Sequence, residues 1–311
     1  MHAVPHPLEH PTDPDHLPSA GASAASTDVP VLKEKLMHLA RIIAAAAVAA
    51  LPLALLPAGA ASAAPPSPAT YLALGDSLPA GVGAGPGLGY VPLLAADLSA
   101  SRNCGRGQAL GCRLVLDNRG VSGATTTTLL SGQLPGAVAL LRERNGNATP
   151  VDDVRLITLT IGGNDVFEPV IAACRTGFTA TCAGTVTAQL AQVDANYATI
   201  LAQLREAAGP STTIAVMTYY NPLPACPLAA LAPLADIVQE GGGPVTSGLN
   251  DIIRQRAAAV GAVVVETAAV VDLTEVQPDC LHPNAAGHAD IADAFADAVR
   301  HLVVGGPGRR R

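Results

Sequence analysis

Short apolar runs recur five times along the chain after residue 69, and each is bounded by Gly, Pro, Asp or Arg. Runs of this length and composition are typical of strands that are buried on both faces of a sheet. Segments with the periodicity of amphipathic helices lie between the runs and after the last one. The pattern predicts strands at 71–74, 114–116, 156–161, 213–217 and 262–265, and helices at 90–99, 126–141, 186–208, 245–260 and 285–303.

This alternation of strands and helices predicts the fold class. Parallel strands need crossover connections, and the intervening helices then cover both faces of the sheet. We therefore expect an α/β protein, namely a three-layer α/β/α sandwich with a five-stranded parallel sheet. In such folds ligands bind outside the carboxyl ends of the strands. The chemically active residue types follow predicted strands, at Ser77, 120–125, 162–165, Asp279 and His282.

The N-terminal 63 residues differ in composition from the rest of the chain. Residues 1–36 are rich in His, Pro, Asp and Ser, and they are either a disordered leader or the product of a mis-assigned start. From Met37 onward, a basic start, an apolar run at 42–56 and the segment Ala61-Ser62-Ala63 predict a signal peptide at 37–63. A membrane anchor is the weaker alternative, because prolines interrupt a run that is short for a bilayer. We expect a secreted, extracellular protein with a single domain at 64–311.

Charge and composition narrow the range of partners. The chain carries a net charge of −7 at pH 7, and its basic cluster is confined to Arg309-Arg310-Arg311. A binding site for nucleic acid or an anionic membrane needs a positive patch, so we expect no nucleic-acid partner. We also expect no stable membrane anchor after signal cleavage, and a monomer.

The six cysteines all lie after residue 63. An even number behind a signal peptide predicts disulfides, for which fifteen connectivities are possible. No C-x-x-C pair is present, so a zinc site is disfavoured and no metal is expected. The spacing favours Cys104–Cys112 and Cys174–Cys182, which leaves Cys226–Cys280. A Cys226–Cys280 bridge would tether the loop that carries His282, so reduction should lower turnover before helix content.

Ser77 stands two residues after Gly75, where an apolar run ends, in the segment Gly75-Asp76-Ser77-Leu78. A serine hydroxyl is a poor nucleophile until a base takes its proton. Three histidines lie after residue 63, and His282 is favoured because Asp279, three positions earlier, can accept its Nδ1 proton. His288 is predicted to lie on a helix surface, and His301 near the tail. A metal hydrolase that uses Asp279, His282, His288 and Asp290 would lack the His-Glu-x-x-His pattern.

Four segments together resemble the SGNH hydrolases, also called GDSL esterases and lipases. They are Gly75-Asp76-Ser77-Leu78 with Gly81, residues 118–125, Ile161-Gly162-Gly163-Asn164-Asp165, and Asp279-Cys280-Leu281-His282-Pro283-Asn284. The resemblance implies the flavodoxin-like SGNH hydrolase fold. It also implies Ser77 as nucleophile, His282 as base and Asp279 as the acid that orients the base. The oxyanion hole would comprise the backbone amides of Ser77 and Gly123 and the side chain of Asn164. The three-disulfide pattern is similar to secreted actinobacterial lipases and esterases.

The function implied by this resemblance is that of a secreted serine esterase or lipase without a cofactor. It would hydrolyse small-molecule or lipid acyl esters through an acyl-enzyme on Ser77, and its activity should fall at acid pH as His282 becomes protonated. The apolar stretch 222–234, with Leu78, Pro79 and Val82, either lines an acyl groove or packs on the core as a loop. The alternatives are a carbohydrate acetylesterase, which the absence of Trp disfavours, and a catalytically silent binding module. The glycine-rich run 81–89 lacks the register of a phosphate-binding loop.

Overall fold

The computed structural model describes residues 68–100 and 114–303, in which strands alternate with helices. The strands form one sheet in the order β2-β1-β3-β4-β5, and every neighbouring pair is parallel. The predicted five-stranded parallel α/β sheet is therefore confirmed. The strands are β1 (Thr70–Gly75), β2 (Val115–Asn118), β3 (Val154–Thr160), β4 (Thr213–Met217) and β5 (Val263–Val265).

Eight α-helices are present in the described residues and flank the sheet. They are α1 (Tyr90–Ala100), α2 (Thr126–Ser131), α3 (Gln133–Asn145), α4 (Gly163–Cys174), α5 (Ala180–Ala208), α6 (Ala232–Glu240), α7 (Leu249–Ala259) and α8 (Ala285–Val303). Four short 3₁₀ turns lie at Pro150–Asp152, Leu223–Ala225, Ala229–Leu231 and Leu273–Glu275.

Three differences from the prediction change the number of helices, whereas α5 and α7 differ in where they begin, at Ala180 and Leu249. The predicted helix at 126–141 is two helices, which meet at Gly132. Pro135 accounts for the break, because proline inside a continuous helix would clash with the carbonyl four residues earlier, whereas it fits a first turn. The helices α4 and α6 are not in the prediction. The first begins with Gly, Asn and Asp and contains Pro169, residue types that are typical of turns.

The core is centred on β1 and β3. All six residues of β1 are buried, and so are six of the seven residues of β3, whereas the edge strand β2 has no buried residue. The long helix α5 covers one face with a stripe at Leu190, Val193, Tyr197, Ile200, Leu201 and Leu204, all buried as their spacing predicts. On α1 and α8, the rings of Tyr90 and Phe295 stack with centroids 5.1 Å apart. The loops after β1 and β3 therefore leave the best-packed part of the sheet.

The N-terminal predictions lie outside the described residues, as do Cys104 and Cys112. The structure contains a disulfide between Cys174 and Cys182, which joins the end of α4 to the start of α5. In the described ranges, no helix combines the length and hydropathy that a membrane span requires.

Cys226 and Cys280 are thiols in the structure, where the sequence analysis predicts a disulfide. Burial, and then the interaction with Cys226, raises the pKa of the Cys280 thiol to about 11. The structure therefore contains no bond between the loop that carries His282 and the segment after β4 at these two cysteines, and the Cys226–Cys280 disulfide stays a prediction.

Candidate active site

The loop that carries Ser77, called the nucleophile loop after its predicted role, begins where β1 ends. Gly75 has φ +136°, and a Cβ there would overlap the carbonyl oxygen of Thr160 in the neighbouring strand. Only glycine lets β1 lie this close to β3 while the chain turns. The Asp76 N–H donates to that same carbonyl at 3.0 Å, and the Val82 N–H donates to the Ser77 carbonyl at 3.0 Å. Ser77 thus lies at the carboxyl edge of the sheet in a turn that is fixed on both sides.

The structure brings Ser77, His282 and Asp279 together. The Ser77 Oγ lies 2.8 Å from the His282 Nε2, although the two residues are 205 positions apart. The His282 Nδ1 lies 2.7 Å from the Asp279 Oδ2. A continuous hydrogen-bonded relay therefore runs from carboxylate to imidazole to hydroxyl, in the order that nucleophilic serine chemistry uses.

The loop that carries His282 is organised by its own polar groups. The Asp279 Oδ1 accepts from the backbone N–H groups of Leu281 and His282, both at 3.0 Å. Partial burial tends to raise the pKa of the Asp279 carboxyl, but these bonds and the ring of His282 outweigh it and lower the pKa. Just after the loop, the Asn284 Oδ1 accepts from the Ala286 N–H at 2.9 Å and so caps α8. The carboxylate that orients His282 therefore stays ionised.

The predicted oxyanion donors come from three different loops. Gly123 has φ +79°, the left-handed region that favours glycine. The Asn164 Nδ2 donates to the carbonyl of Ala124, the residue after Gly123, at 2.9 Å, which links the loop after β2 to the start of α4. Among the hydrogen bonds of the described residues, none uses the backbone N–H of Ser77 or Gly123. These two N–H groups and the second N–H of the Asn164 amide are thus available to a substrate oxygen.

A buried polar network, which the sequence motifs do not predict, follows Asn164. The Asp165 carboxylate accepts from the Thr126 N–H at 2.8 Å and from the Thr126 hydroxyl at 2.6 Å, and the Asn196 amide donates to that hydroxyl at 2.8 Å. Burial raises the pKa of Asp165, and the bonds from Thr126 act against it. The network joins α2, α4 and α5 through the residue that follows Asn164. The only local signal is a carboxylate in a glycine-rich turn.

His288 does not lie on a helix surface as predicted, since its side chain is fully buried. Its Nε2 donates to the Val82 carbonyl at 2.9 Å, and its Nδ1 accepts from the Tyr90 N–H at 3.3 Å. Burial lowers the pKa of His288, which favours this neutral form. Residue 288 shares a helix face with Ile291, Ala292 and Phe295, and that spacing would have identified it as a core position.

An apolar cavity opens beside the Ser77 hydroxyl. Its empty space is about 790 Å³ when the open mouth and the adjoining solvent are included. Ser77, Asn164 and His282 lie along it, and its walls are apolar residues of α4, α6 and the loop after β4. Of the predicted groove, Leu78, Pro222, Leu223, Leu231 and Leu234 line this cavity. Pro79 and Val82 instead line a separate cavity along the glycine-rich run.

Across residues 68–100 and 114–303, no group of three or more His, Cys, Asp and Glu side chains is arranged to hold a metal ion.

Comparisons with known proteins agree with the sequence motifs. The profile of the GDSL-like Lipase/Acylhydrolase family matches residues 73–289. Among solved structures, the lipase Lip_vut3 from a goat rumen metagenome matches with a TM-score of 0.52 and 21% identity, over 75% of this chain and 98% of that chain. The acetylxylan esterase Axe2 from Geobacillus stearothermophilus matches with a TM-score of 0.49 and 18% identity, over 78% and 95%. A search of curated proteins finds no match. Since the family profile spans more than half of the sequence, from β1 to α8, the chain belongs to the GDSL-like lipase/acylhydrolase (SGNH) family.

Proposed function

We propose that the protein is a serine esterase or lipase that hydrolyses carboxylic esters through an acyl-enzyme on Ser77. The observation that carries this proposal is the unbroken relay of Asp279, His282 and Ser77, at 2.7 and 2.8 Å, at the mouth of an apolar cavity. Membership of an acylhydrolase family supports the reaction class.

The reaction follows from these contacts. The Ser77 Oγ attacks the ester carbonyl carbon while the His282 Nε2 takes the hydroxyl proton. The negative charge that develops on the carbonyl oxygen is stabilised by the N–H groups of Ser77, Gly123 and Asn164. When the tetrahedral intermediate collapses, the C–O bond to the alcohol breaks and His282 returns the proton to the leaving oxygen. Water then attacks the acyl-enzyme with His282 again as base, which releases the acid and regenerates Ser77.

The cavity favours an acyl chain longer than acetyl. Its walls are formed by side chains such as Phe167, Val170, Leu234 and Val238, and burial of each methylene there would contribute about 0.8 kcal/mol. An acetyl group would leave this space empty. We therefore propose esters of lipid or other extended acyl chains as substrates, in preference to acetylated carbohydrate.

A chain-length series of p-nitrophenyl esters tests this function. We expect kcat/KM to rise from acetate toward medium chains, Ser77→Ala to abolish turnover, and Ser131→Ala, an exposed serine on α2, to leave it unchanged. Ala235→Trp should fill the cavity and remove the preference for longer chains, while Ala230→Trp, at an exposed site outside the cavity, should not. A sharp optimum at acetate would favour the acetylesterase, and no turnover at all would favour a binding module.

We also propose that the protein is exported and acts outside the cell. The signal-peptide pattern at 37–63 and the Cys174–Cys182 disulfide support this location, because disulfides persist in oxidising compartments. N-terminal sequencing of protein from the medium should begin at Ala64. Activity that stays in the cytoplasmic fraction would contradict export.

A further inference from the structure

Tyr219, two residues beyond β4, contacts the nucleophile loop, and the mechanism above gives it no role. Its side chain is buried, and its hydroxyl donates to the Asp76 Oδ2 at 2.5 Å across 143 positions of sequence. The other oxygen of this carboxylate, Oδ1, accepts from the Leu78 N–H at 3.0 Å. One oxygen of the Asp76 carboxylate therefore binds the backbone of Leu78, the residue after Ser77. The other oxygen binds Tyr219, which belongs to the loop after β4.

Tyr219 is itself held firmly from two sides. Its backbone N–H donates to the Asn250 Oδ1 at 2.7 Å, and its carbonyl accepts from the Asn250 Nδ2 at 2.9 Å. Asn250 is fully buried on α7, so this amide replaces the partner that a neighbouring strand would supply. The Tyr219 ring lies over Gly163, where a Cβ would come within 2.8 Å of the ring carbon Cε1. The same tyrosine thus touches the nucleophile turn and the turn that presents Asn164.

The Asp76 carboxylate lies in a setting that works against its charge. It is 2% exposed, and burial raises its pKa to about 6, while the bonds from Tyr219 and Leu78 and the electrostatic interaction with the His282 ring act to lower it. Asp165 on α4 acts in the opposite direction. The Tyr219 hydroxyl is the strongest of the influences that keep this carboxyl ionised. The ionisable groups that face it are Tyr90, Asp165, Tyr197, Tyr219, Tyr220 and His282.

We propose that Tyr219 is a positioning residue for ester hydrolysis, whose hydroxyl holds Asp76 as a carboxylate in the orientation that fixes the Ser77 turn. This inference rests on the proposed function, since it concerns the nucleophile of that reaction. Without the hydroxyl, Asp76 protonates at a higher pH. A neutral carboxyl is a weaker acceptor for the Leu78 N–H, so the turn that aims Ser77 at His282 loosens.

A matched control exists in the same sheet. Tyr71 is fully buried, and its hydroxyl makes one hydrogen bond, to the Thr158 Oγ1 at 3.0 Å, within the core. Tyr71→Phe and Tyr219→Phe therefore remove the same group from two buried side chains, which are 0% and 8% exposed, but only the second bond reaches the turn that carries Ser77. A general loss of core stability would affect both variants alike.

The test is the pH dependence of p-nitrophenyl butyrate hydrolysis by both variants, with active sites counted by a fluorophosphonate probe. For Tyr219→Phe we expect kcat to fall about tenfold to a hundredfold with KM changed by less than about threefold, as for loss of a charge-assisted hydrogen bond. The acid limb of kcat should move to higher pH, because the bond that favours the Asp76 carboxylate is gone. Tyr71→Phe should show neither change.

A second variant separates positioning from structure. In an Asp76→Asn background no carboxyl remains to titrate, so adding Tyr219→Phe should not move the acid limb further. The proposal is wrong if Tyr219→Phe leaves kcat and the acid limb unchanged, or if Tyr71→Phe produces the same losses. Failure of the proposed function has a different signature, in which the folded wild-type protein neither turns over the ester nor reacts with the probe.

Discussion

The two loops that meet at the active site are held in place by different means. The nucleophile turn follows β1, whose residues are all buried, and Asp76 and Ser77 are 2% and 6% exposed. The loop of His282 comes after β5, a three-residue edge strand, and the Asp279 side chain is 49% exposed. The first is fixed by the core, whereas the second is held by hydrogen bonds, both within the loop and from the Tyr220 hydroxyl to the Leu281 carbonyl at 2.7 Å. Changes in the first loop should therefore affect stability and activity together, and changes in the second should affect activity alone.

The largest expected effect is on turnover, from His282→Ala. Loss of the base should lower kcat on the order of a million-fold, as in other serine hydrolases that lose a member of the relay. The melting temperature should stay close to that of the wild type, because the loop is fixed by Asp279 and backbone groups. His301→Ala, an exposed histidine at the end of α8, is the control and should change neither value. A large fall in melting temperature for His282→Ala would show that the His282 loop contributes to stability as the Ser77 loop does, which contradicts the difference expected between the two loops.

A smaller loss is expected from Asn164→Ala, which removes a donor supplied by a third loop. Turnover should fall about 100- to 1,000-fold with KM nearly unchanged, because the lost interaction strengthens only as the oxyanion develops. Asn147→Ala serves as the control, since Asn147 is exposed and donates to the Glu143 carbonyl away from the site. Steady-state kinetics with a single ester separate the two constants. Equal changes in kcat for both variants would remove Asn164 from the oxyanion hole.

The cost of holding Asp76 in the core should appear as pH-dependent stability. Folding raises the pKa of this carboxyl from 3.8 to about 6, so its stabilising contribution is complete below 3.8 and is lost as the pH rises through about 6. The loss corresponds to about 3 kcal/mol. The unfolding free energy of the wild type minus that of Asp76→Asn, from urea titrations, should be higher at pH 4 than at pH 8. A difference that does not change with pH would contradict this assignment.

The cysteines give the smallest effects on activity. Cys174→Ser removes the disulfide between α4 and α5 and should lower the unfolding free energy by about 2.5 kcal/mol, with turnover nearly unchanged. Cys226→Ser should change both by much less, because Cys226 is a thiol in the structure. Thiol titration of the oxidised and reduced protein, with urea unfolding, checks both expectations. A large fall in turnover for Cys226→Ser would instead support the predicted disulfide between Cys226 and Cys280.

The sequence was sufficient for the sheet and for the residues of the relay. The strands are buried on both faces and therefore appear as plain apolar runs, and parallel connectivity directs their carboxyl ends to one edge. Ser77, Asp279 and His282 could be named because each follows a strand within a motif of distinctive composition. The topology then places them at the same edge of the sheet, and the structure supplies the distances of 2.7 and 2.8 Å.

Features that depend on contacts between distant segments could not be predicted in the same way. The hydrogen bond between Asp76 and Tyr219 spans 143 positions, and nothing in the sequence around either residue indicates that the two side chains meet. His288 is predicted on a helix surface, but it lies on the buried face of α8 with Ile291, Ala292 and Phe295. The helix α4 was missed because its Gly-Asn-Asp start and Pro169 suit a turn, and tertiary packing outweighs those preferences.

The central claim is that Ser77 is a nucleophile activated by His282 at one edge of the sheet. The most direct measurement is peptide mass spectrometry after reaction with a fluorophosphonate. The account predicts one adduct, on the peptide that contains Ser77, and no detectable adduct within the same time for His282→Ala. An adduct on another residue, or a His282→Ala protein that reacts as fast as the wild type, would contradict it.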